Sequence, residues 1–88
     1  MTARQVTVVN GLGLHARAAA RFVGIASQFK SRITVGVDDR MMDGKSILGL
    51  LLLAAARGSA LTITAEGPDE SAALDALESL TARGFEDA

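Results

Sequence analysis

Cysteine, tryptophan and tyrosine are absent from this chain, and histidine occurs once. Without cysteine there is no disulfide framework and no thiolate metal site, and a single histidine leaves no multi-histidine site either. The absence also fits a reducing compartment. Three phenylalanines are the only aromatic residues, which supply no platform for stacking bases and count against binding of RNA or single-stranded DNA. Charge of one sign is lacking too: the formal net charge is −1, that of an ordinary globule rather than of a chain that coats nucleic acid. Long apolar runs are missing, since ILGLLLLAAA from Ile47 to Ala56 falls well short of the roughly 20 residues that a membrane span needs. The N-terminal stretch MTARQVTVVN has no apolar segment leading to a small-residue cleavage site. A cytoplasmic protein without membrane insertion is expected, with no bound metal or cofactor.

What is present suffices for one domain over residues 1–88, close to the smallest size at which apolar burial alone supports a fold. Val6 to Val9 reads as a first strand. The loop Asn10-Gly11-Leu12-Gly13-Leu14 leads to an amphipathic helix with Ala16, Ala19, Phe22, Val23, Ala26 and Phe29 on one side and Arg17, Arg21, Gly24 and Gln28 on the other. Ile33, Val35 and Val37 alternate with Arg32, Thr34 and Gly36 in a strand with one wet face. Asp38-Asp39 turns the chain into a short strand, Arg40 to Met42, and Asp43-Gly44 ends it. Ser46 stands at the N-cap of a leucine-rich helix from Ile47 to about Ala55, closed by Arg57-Gly58. Leu61, Ile63 and Ala65 alternate with polar partners in the last strand. Asp69 stands at the N-cap of a final helix that buries Ala73, Leu77 and Leu80 and stops at Arg83-Gly84.

The order is βαββαβα. Strands that leave one face to water require helices on the other face only. The predicted fold is therefore α+β, a two-layer sandwich with a four-stranded, mostly antiparallel sheet and three helices on one face.

That sheet type rules against the nucleotide signatures in the chain. Gly11-x-Gly13-x-x-Ala16 follows a strand and opens a helix, with Asp38 and Asp39 at the distance of a ribose-binding acid. Dinucleotide-binding sheets, however, are covered on both faces and need far more chain. Gly44-Lys45-Ser46 resembles the end of a P-loop, but the position that must be its first glycine is Asp39. Nothing resembles the nucleophile elbow of a serine hydrolase.

The loop instead serves its histidine. With the first helix starting at Ala16, His15 is its N-cap, and the unpaired N–H groups of Ala16, Arg17 and Ala18 face whatever is attached to the ring. A phosphoryl group there meets main-chain donors, the positive helix end and the Arg17 guanidinium, whose fork suits phosphate oxygens. A lone histidine can equally be a plain cap, and Arg17 a solvated helix residue. It is the combination of glycine loop, helix start and nearby arginine that points to an anion.

Gly13-Leu14-His15-Ala16-Arg17, with Gly44-Lys45-Ser46-Ile47-Leu48-Gly49 and Leu61-Thr62-Ile63-Thr64-Ala65-Glu66-Gly67 in the same order downstream, resembles the HPr family, the histidine phosphocarriers of bacterial phosphotransferase systems. The resemblance covers almost the whole chain and implies an open-faced β-sandwich. It implies that His15 takes a phosphoryl group on Nδ1 from phosphorylated enzyme I, originally from phosphoenolpyruvate, and passes it to a histidine of an enzyme IIA domain while Arg17 steadies it. Such a protein is a carrier and not an autonomous enzyme. One position departs from the pattern: Ala18 replaces the proline that most members carry after the motif, as in nitrogen-regulatory branches, and this puts a sugar-uptake role in question.

Ser46 is an N-cap in its own right. The resemblance adds regulatory phosphorylation there by an HPr serine kinase/phosphorylase, and a dianion at a helix N-terminus is physically tolerated. In the leucine-rich helix only one face can rest on the sheet, leaving Ile47, Leu48, Leu51 and Leu52 as a candidate partner surface; burial under a neighbouring helix or at a homodimer seam is the competing reading. A monomer is expected. The functional alternative is a small regulatory domain of βαββαβ type that holds a metabolite anion without covalent chemistry.

Overall fold

The computed structural model describes residues 1–86. Four strands, β1 (Thr2–Thr7), β2 (Arg32–Val37), β3 (Arg40–Asp43) and β4 (Ala60–Glu66), form one sheet in the order β1-β4-β2-β3. Every neighbouring pair is antiparallel. Helices α1 (Ala16–Ala26), α2 (Ile47–Leu53) and α3 (Glu70–Ala82) cover one face, and a single 3-10 turn, Gly84–Glu86, follows α3. The architecture is the expected open-faced α+β sandwich.

The core lies between the layers, and alternation places it there. Leu61, Ile63 and Ala65 of β4 and Ile33, Val35 and Val37 of β2 are buried, while Thr62, Glu66 and Arg32 remain exposed. Ala18, Ala19, Phe22 and Ala26 fill the other side from α1, and Leu74, Leu77 and Leu80 from α3. Gly36, expected on the wet face, is instead covered by the Met41 side chain.

Several boundaries differ from expectation, each for a physical reason. The first strand runs over Thr2–Thr7 rather than Val6–Val9. Its polar start is held from Thr2↔Ala65 to Thr7↔Ala60 by β4, and α3 covers its half-buried side: Thr2 donates to the Glu70 carboxylate and Arg4 pairs with Asp75 and Glu78. In α1, Ala16 is exposed and Phe29 lies beyond the helix end, although Phe29 still packs against the core.

The second helix stops at Leu53, not near Ala55, and Arg57-Gly58 does not close it. Its C-cap is Ala54 in the left-handed region, φ 52° and ψ 39°, a conformation that costs an L-residue roughly 1–2 kcal/mol. Gly58, with φ +90°, instead turns the chain toward β4 and donates its N–H to the Val8 carbonyl at 2.8 Å. Asp69 occupies the N-cap position of α3 without capping it. Its carboxylate accepts the N–H groups of Lys30 and Ser31 at 2.8 and 2.9 Å, together with the Ser31 hydroxyl, and so ties the α1–β2 turn to the start of α3.

Candidate functional site

The loop before α1 is closed by its own polar groups. Asn10, buried, donates from Nδ2 to the Gly13 carbonyl at 2.8 Å while the Gly13 N–H reaches the Asn10 carbonyl at 3.2 Å. Gly13 adopts φ +67°, and a Cβ built on it falls 2.3 Å from the Ala55 carbonyl oxygen. Only glycine fits so close an approach. Leu14 then donates its N–H to that same carbonyl at 2.9 Å and buries its side chain. The loop is thus seated on the segment that leaves α2. Asn10, which the sequence marks only as half of an Asn-Gly turn dipeptide, is the residue missed at this stage; Gly11 meets nothing within 4 Å and has no special φ.

His15 follows at the N-cap of α1, in extended conformation with φ −83° and ψ −178°. Its carbonyl accepts the Ala19 N–H at 2.8 Å, and ring Nδ1 accepts the Arg17 N–H at 3.2 Å. A ring nitrogen that accepts a main-chain N–H carries no proton, so the ring hydrogen is on Nε2 and Nδ1 keeps its lone pair. The first turn of α1 contains no acidic residue to offset the positive helix end. Among the described residues the N–H groups of Ala16 and Ala18 have no acceptor, and the exposed Arg17 guanidinium has no carboxylate partner. A half-buried imidazole therefore sits beside a cluster of main-chain donors and a guanidinium.

Ser46 is the N-cap of α2, its Oγ accepting the Gly49 N–H at 3.0 Å. The helix presents Leu48 and Leu52, 67% and 57% exposed, together with Ile47 and Leu51, while Leu50 and Leu53 are buried. The structure brings the His15 loop to the C-terminal end of this helix. Ser46 lies at the opposite end, about 10 Å away along an axis rising 1.5 Å per residue.

No group of three or more side chains suited to a metal ion occurs among the described residues. A cavity of about 490 Å³, lined by Lys30, Arg32, Met41 and Lys45 among others, is remote from this loop and includes neither His15 nor Arg17. His15 itself is half-buried, and Arg17 beside it is exposed. No helix among the described residues is long and apolar enough to cross a membrane.

Residues 2–83 match the family described as the PTS HPr component phosphorylation site. A phosphocarrier protein HPr of Pseudomonas putida is 44% identical over 88 residues, covering 99% of this chain and 98% of the relative. A phosphocarrier protein NPr of Shewanella violacea is 42% identical over 85 residues, covering 97% of this chain and 93% of that protein. The crystal structure of HPr-C-His from Thermoanaerobacter tengcongensis superposes with a TM-score of 0.95 at 39% identity, covering 100% of this chain and 99% of that one. This chain belongs to the HPr family of phosphotransferase-system phosphocarriers.

Proposed function

We propose that His15 is the phosphoryl acceptor of this carrier. The Nδ1 lone pair attacks the phosphorus of a phosphohistidine on enzyme I. An N–P bond forms at His15 as the donor's N–P bond breaks, and that electron pair returns to the donor imidazole. No proton has to leave Nδ1 during the exchange, because that nitrogen accepts a hydrogen bond and carries no hydrogen of its own. The Arg17 N–H, which held that lone pair, is left beside the incoming oxygens. The N–H groups of Ala16 and Ala18 and the Arg17 guanidinium join it, placing donors where charge arrives. The reverse exchange hands the group to a histidine of an enzyme IIA domain. The chain completes no reaction without its two partners.

The observation that carries this reading is the Arg17 N–H to His15 Nδ1 hydrogen bond at the mouth of α1. It supports Nδ1 as the nucleophilic nitrogen, with the first N–H groups of α1 beside it as donors to the phosphoryl group. The apolar residues Ile47, Leu48, Leu51 and Leu52 form the docking surface for enzyme I and enzyme IIA, with the weak, reversible character that a carrier needs. We also propose that the chain works as a monomer in the cytoplasm, and that phosphorylation of Ser46 by an HPr serine kinase/phosphorylase lowers its acceptance of phosphoryl groups.

Incubation with enzyme I and radiolabelled phosphoenolpyruvate tests the central claim. The chain should acquire an acid-labile, alkali-stable label that His15→Ala abolishes. A site that only binds anions without covalent chemistry would leave the folded chain unlabelled.

A further inference from the structure

The His15 loop does not stand alone: it rests on the Ala55 carbonyl, which takes the Leu14 N–H at 2.9 Å and lies against Gly13. The position of that carbonyl depends on how α2 ends, and α2 ends on an alanine in the left-handed region, φ 52°. Glycine would adopt this conformation freely, whereas alanine needs neighbours that hold it there. The neighbour is Arg40, at the start of β3. Its guanidinium donates to two successive carbonyls of the last helical turn, from Nη1 to Leu52 at 3.3 Å and from Nη2 to Leu53 at 2.9 Å. The Ala54 N–H closes the turn on the Leu51 carbonyl at 3.1 Å. Helix ends leave such carbonyls without internal partners, and a cation there also favours the negative end of the helix.

We propose that Arg40 is a positioning residue for His15: it holds the exit of α2, and through Ala55 it holds the loop that presents the ring. Among the described residues the Arg40 guanidinium donates to the Leu52 and Leu53 carbonyls and not to His15 or its loop. Its influence passes along two peptide links, from Leu53 through Ala54 to Ala55, then one hydrogen bond to Leu14 and one further peptide link to His15. The close seat of Gly13 leaves no slack, so a displaced Ala55 carbonyl displaces the loop. A planar fork bridges two carbonyls where an ammonium reaches one well. Arg40→Lys therefore retains the charge but only part of the grip.

This inference rests on the reading of His15 as the acceptor, and the test separates the two. Wild type, Arg40→Ala and Arg40→Lys are compared as full chains by amide hydrogen exchange, by nitrogen NMR of the His15 ring and by steady-state phosphoryl acceptance from enzyme I. In Arg40→Ala, exchange at the Leu14 N–H should accelerate about tenfold beyond any change at Ile63 in the central strand, the factor associated with one lost hydrogen bond to a charged group. The His15 Nδ1 resonance should move, and acceptance should lose kcat with little change in KM. Arg40→Lys should lie between the two. Equal acceleration at Leu14 and Ile63 would reduce Arg40 to a general stabiliser and overturn the proposal. Unchanged Leu14 exchange and ring signals would also overturn it, as would a rise in KM alone, which marks a docking contact. If wild type accepts no phosphoryl group, the acceptor reading fails, while the exchange and ring measurements still decide whether Arg40 positions the loop.

Discussion

Two glycines two residues apart in the His15 loop should respond oppositely to the same added methyl. A Cβ at Gly13 would lie 2.3 Å from the Ala55 oxygen, 3.0 Å from Ala56 Cα and 3.3 Å from the Ala55 carbonyl carbon, all backbone atoms that cannot rotate aside. The φ of +67° adds about 1–2 kcal/mol for any L-residue. Relief of the overlap requires the loop to lift from α2, which breaks the Leu14 to Ala55 hydrogen bond at a further cost of about 1 kcal/mol. Gly13→Ala should therefore destabilise by roughly 2–3 kcal/mol, about 8–24 °C in Tm for a domain of this size. Gly11 has nothing within 4 Å, and Gly11→Ala should stay within about 0.5 kcal/mol of wild type. Urea titration at constant m-value measures both. Below its own melting point, Gly13→Ala should also accept phosphoryl groups more slowly from enzyme I, because the loop that presents His15 has shifted. Equal stabilities for the two variants, or a fully active Gly13→Ala, would refute the account of how the loop is seated.

Three other outcomes follow from the same geometry. Ala18→Pro removes one of the N–H groups at the α1 mouth, so its phosphohistidine should hydrolyse about tenfold faster than that of wild type; identical lifetimes would mean that this N–H does not reach the phosphoryl oxygens. Ser46→Asp places a negative charge at the far end of α2, and acceptance from enzyme I should slow by a factor of about three to ten at low salt and recover as salt is added; a rate equal to wild type, or a loss insensitive to salt, would count against charge as the cause. The Ser31 hydroxyl first, and then the Lys30 N–H, hold the Asp69 carboxyl down from 3.8 to about 2. A carboxyl lowered on folding stabilises the native state above its unfolded value, and that contribution is lost as pH falls through the folded one. Asp69→Asn should accordingly be less stable near neutrality and lose less between pH 3.8 and 2; parallel acid limbs for the two proteins would contradict the clamp.

The layer architecture was legible because alternation is a direct record of which side is wet. Ile33, Val35 and Val37, and again Leu61, Ile63 and Ala65, are buried as their spacing requires, and that alone separated an open sandwich from a doubly covered parallel sheet. Features that depend on partners distant in sequence were not legible. Thr2 to Gln5 looks like a polar leader until β4 and α3 are in place to pair and cover it. Asp69 has the composition of an N-cap, yet two turn amides and a hydroxyl from the α1–β2 connection take its carboxylate. Phe85 follows a glycine that ends α3 and yet is fully buried, and Arg21 of α1 grips its carbonyl at 2.7 Å.

The candidate site divides along the same line. His15 at a helix start could be found because a cap needs an acceptor and the amphipathic run begins directly after it. The geometry adds which ring nitrogen takes the Arg17 N–H. Gly11 and Gly13 are indistinguishable as letters, since the difference between them is an Ala55 carbonyl more than forty positions away. The left-handed turn at Ala54 is likewise hidden, because the residue that adopts it is not the glycine that usually marks such a turn. On the proposed reading, what the fold contributes to function is a donor cluster held rigid from behind. The loop is pinned by Asn10, Gly13 and Leu14 on its inner side, while Arg17 beside the ring is exposed. A carrier must meet one protein to be charged and another to be discharged, and both must reach the same nitrogen. Rigidity keeps the donors aimed during each exchange, so reorganisation costs little. The same nitrogen and the same donors serve both proposed exchanges, so the direction of transfer is set by which partner holds the phosphoryl group and not by the carrier itself.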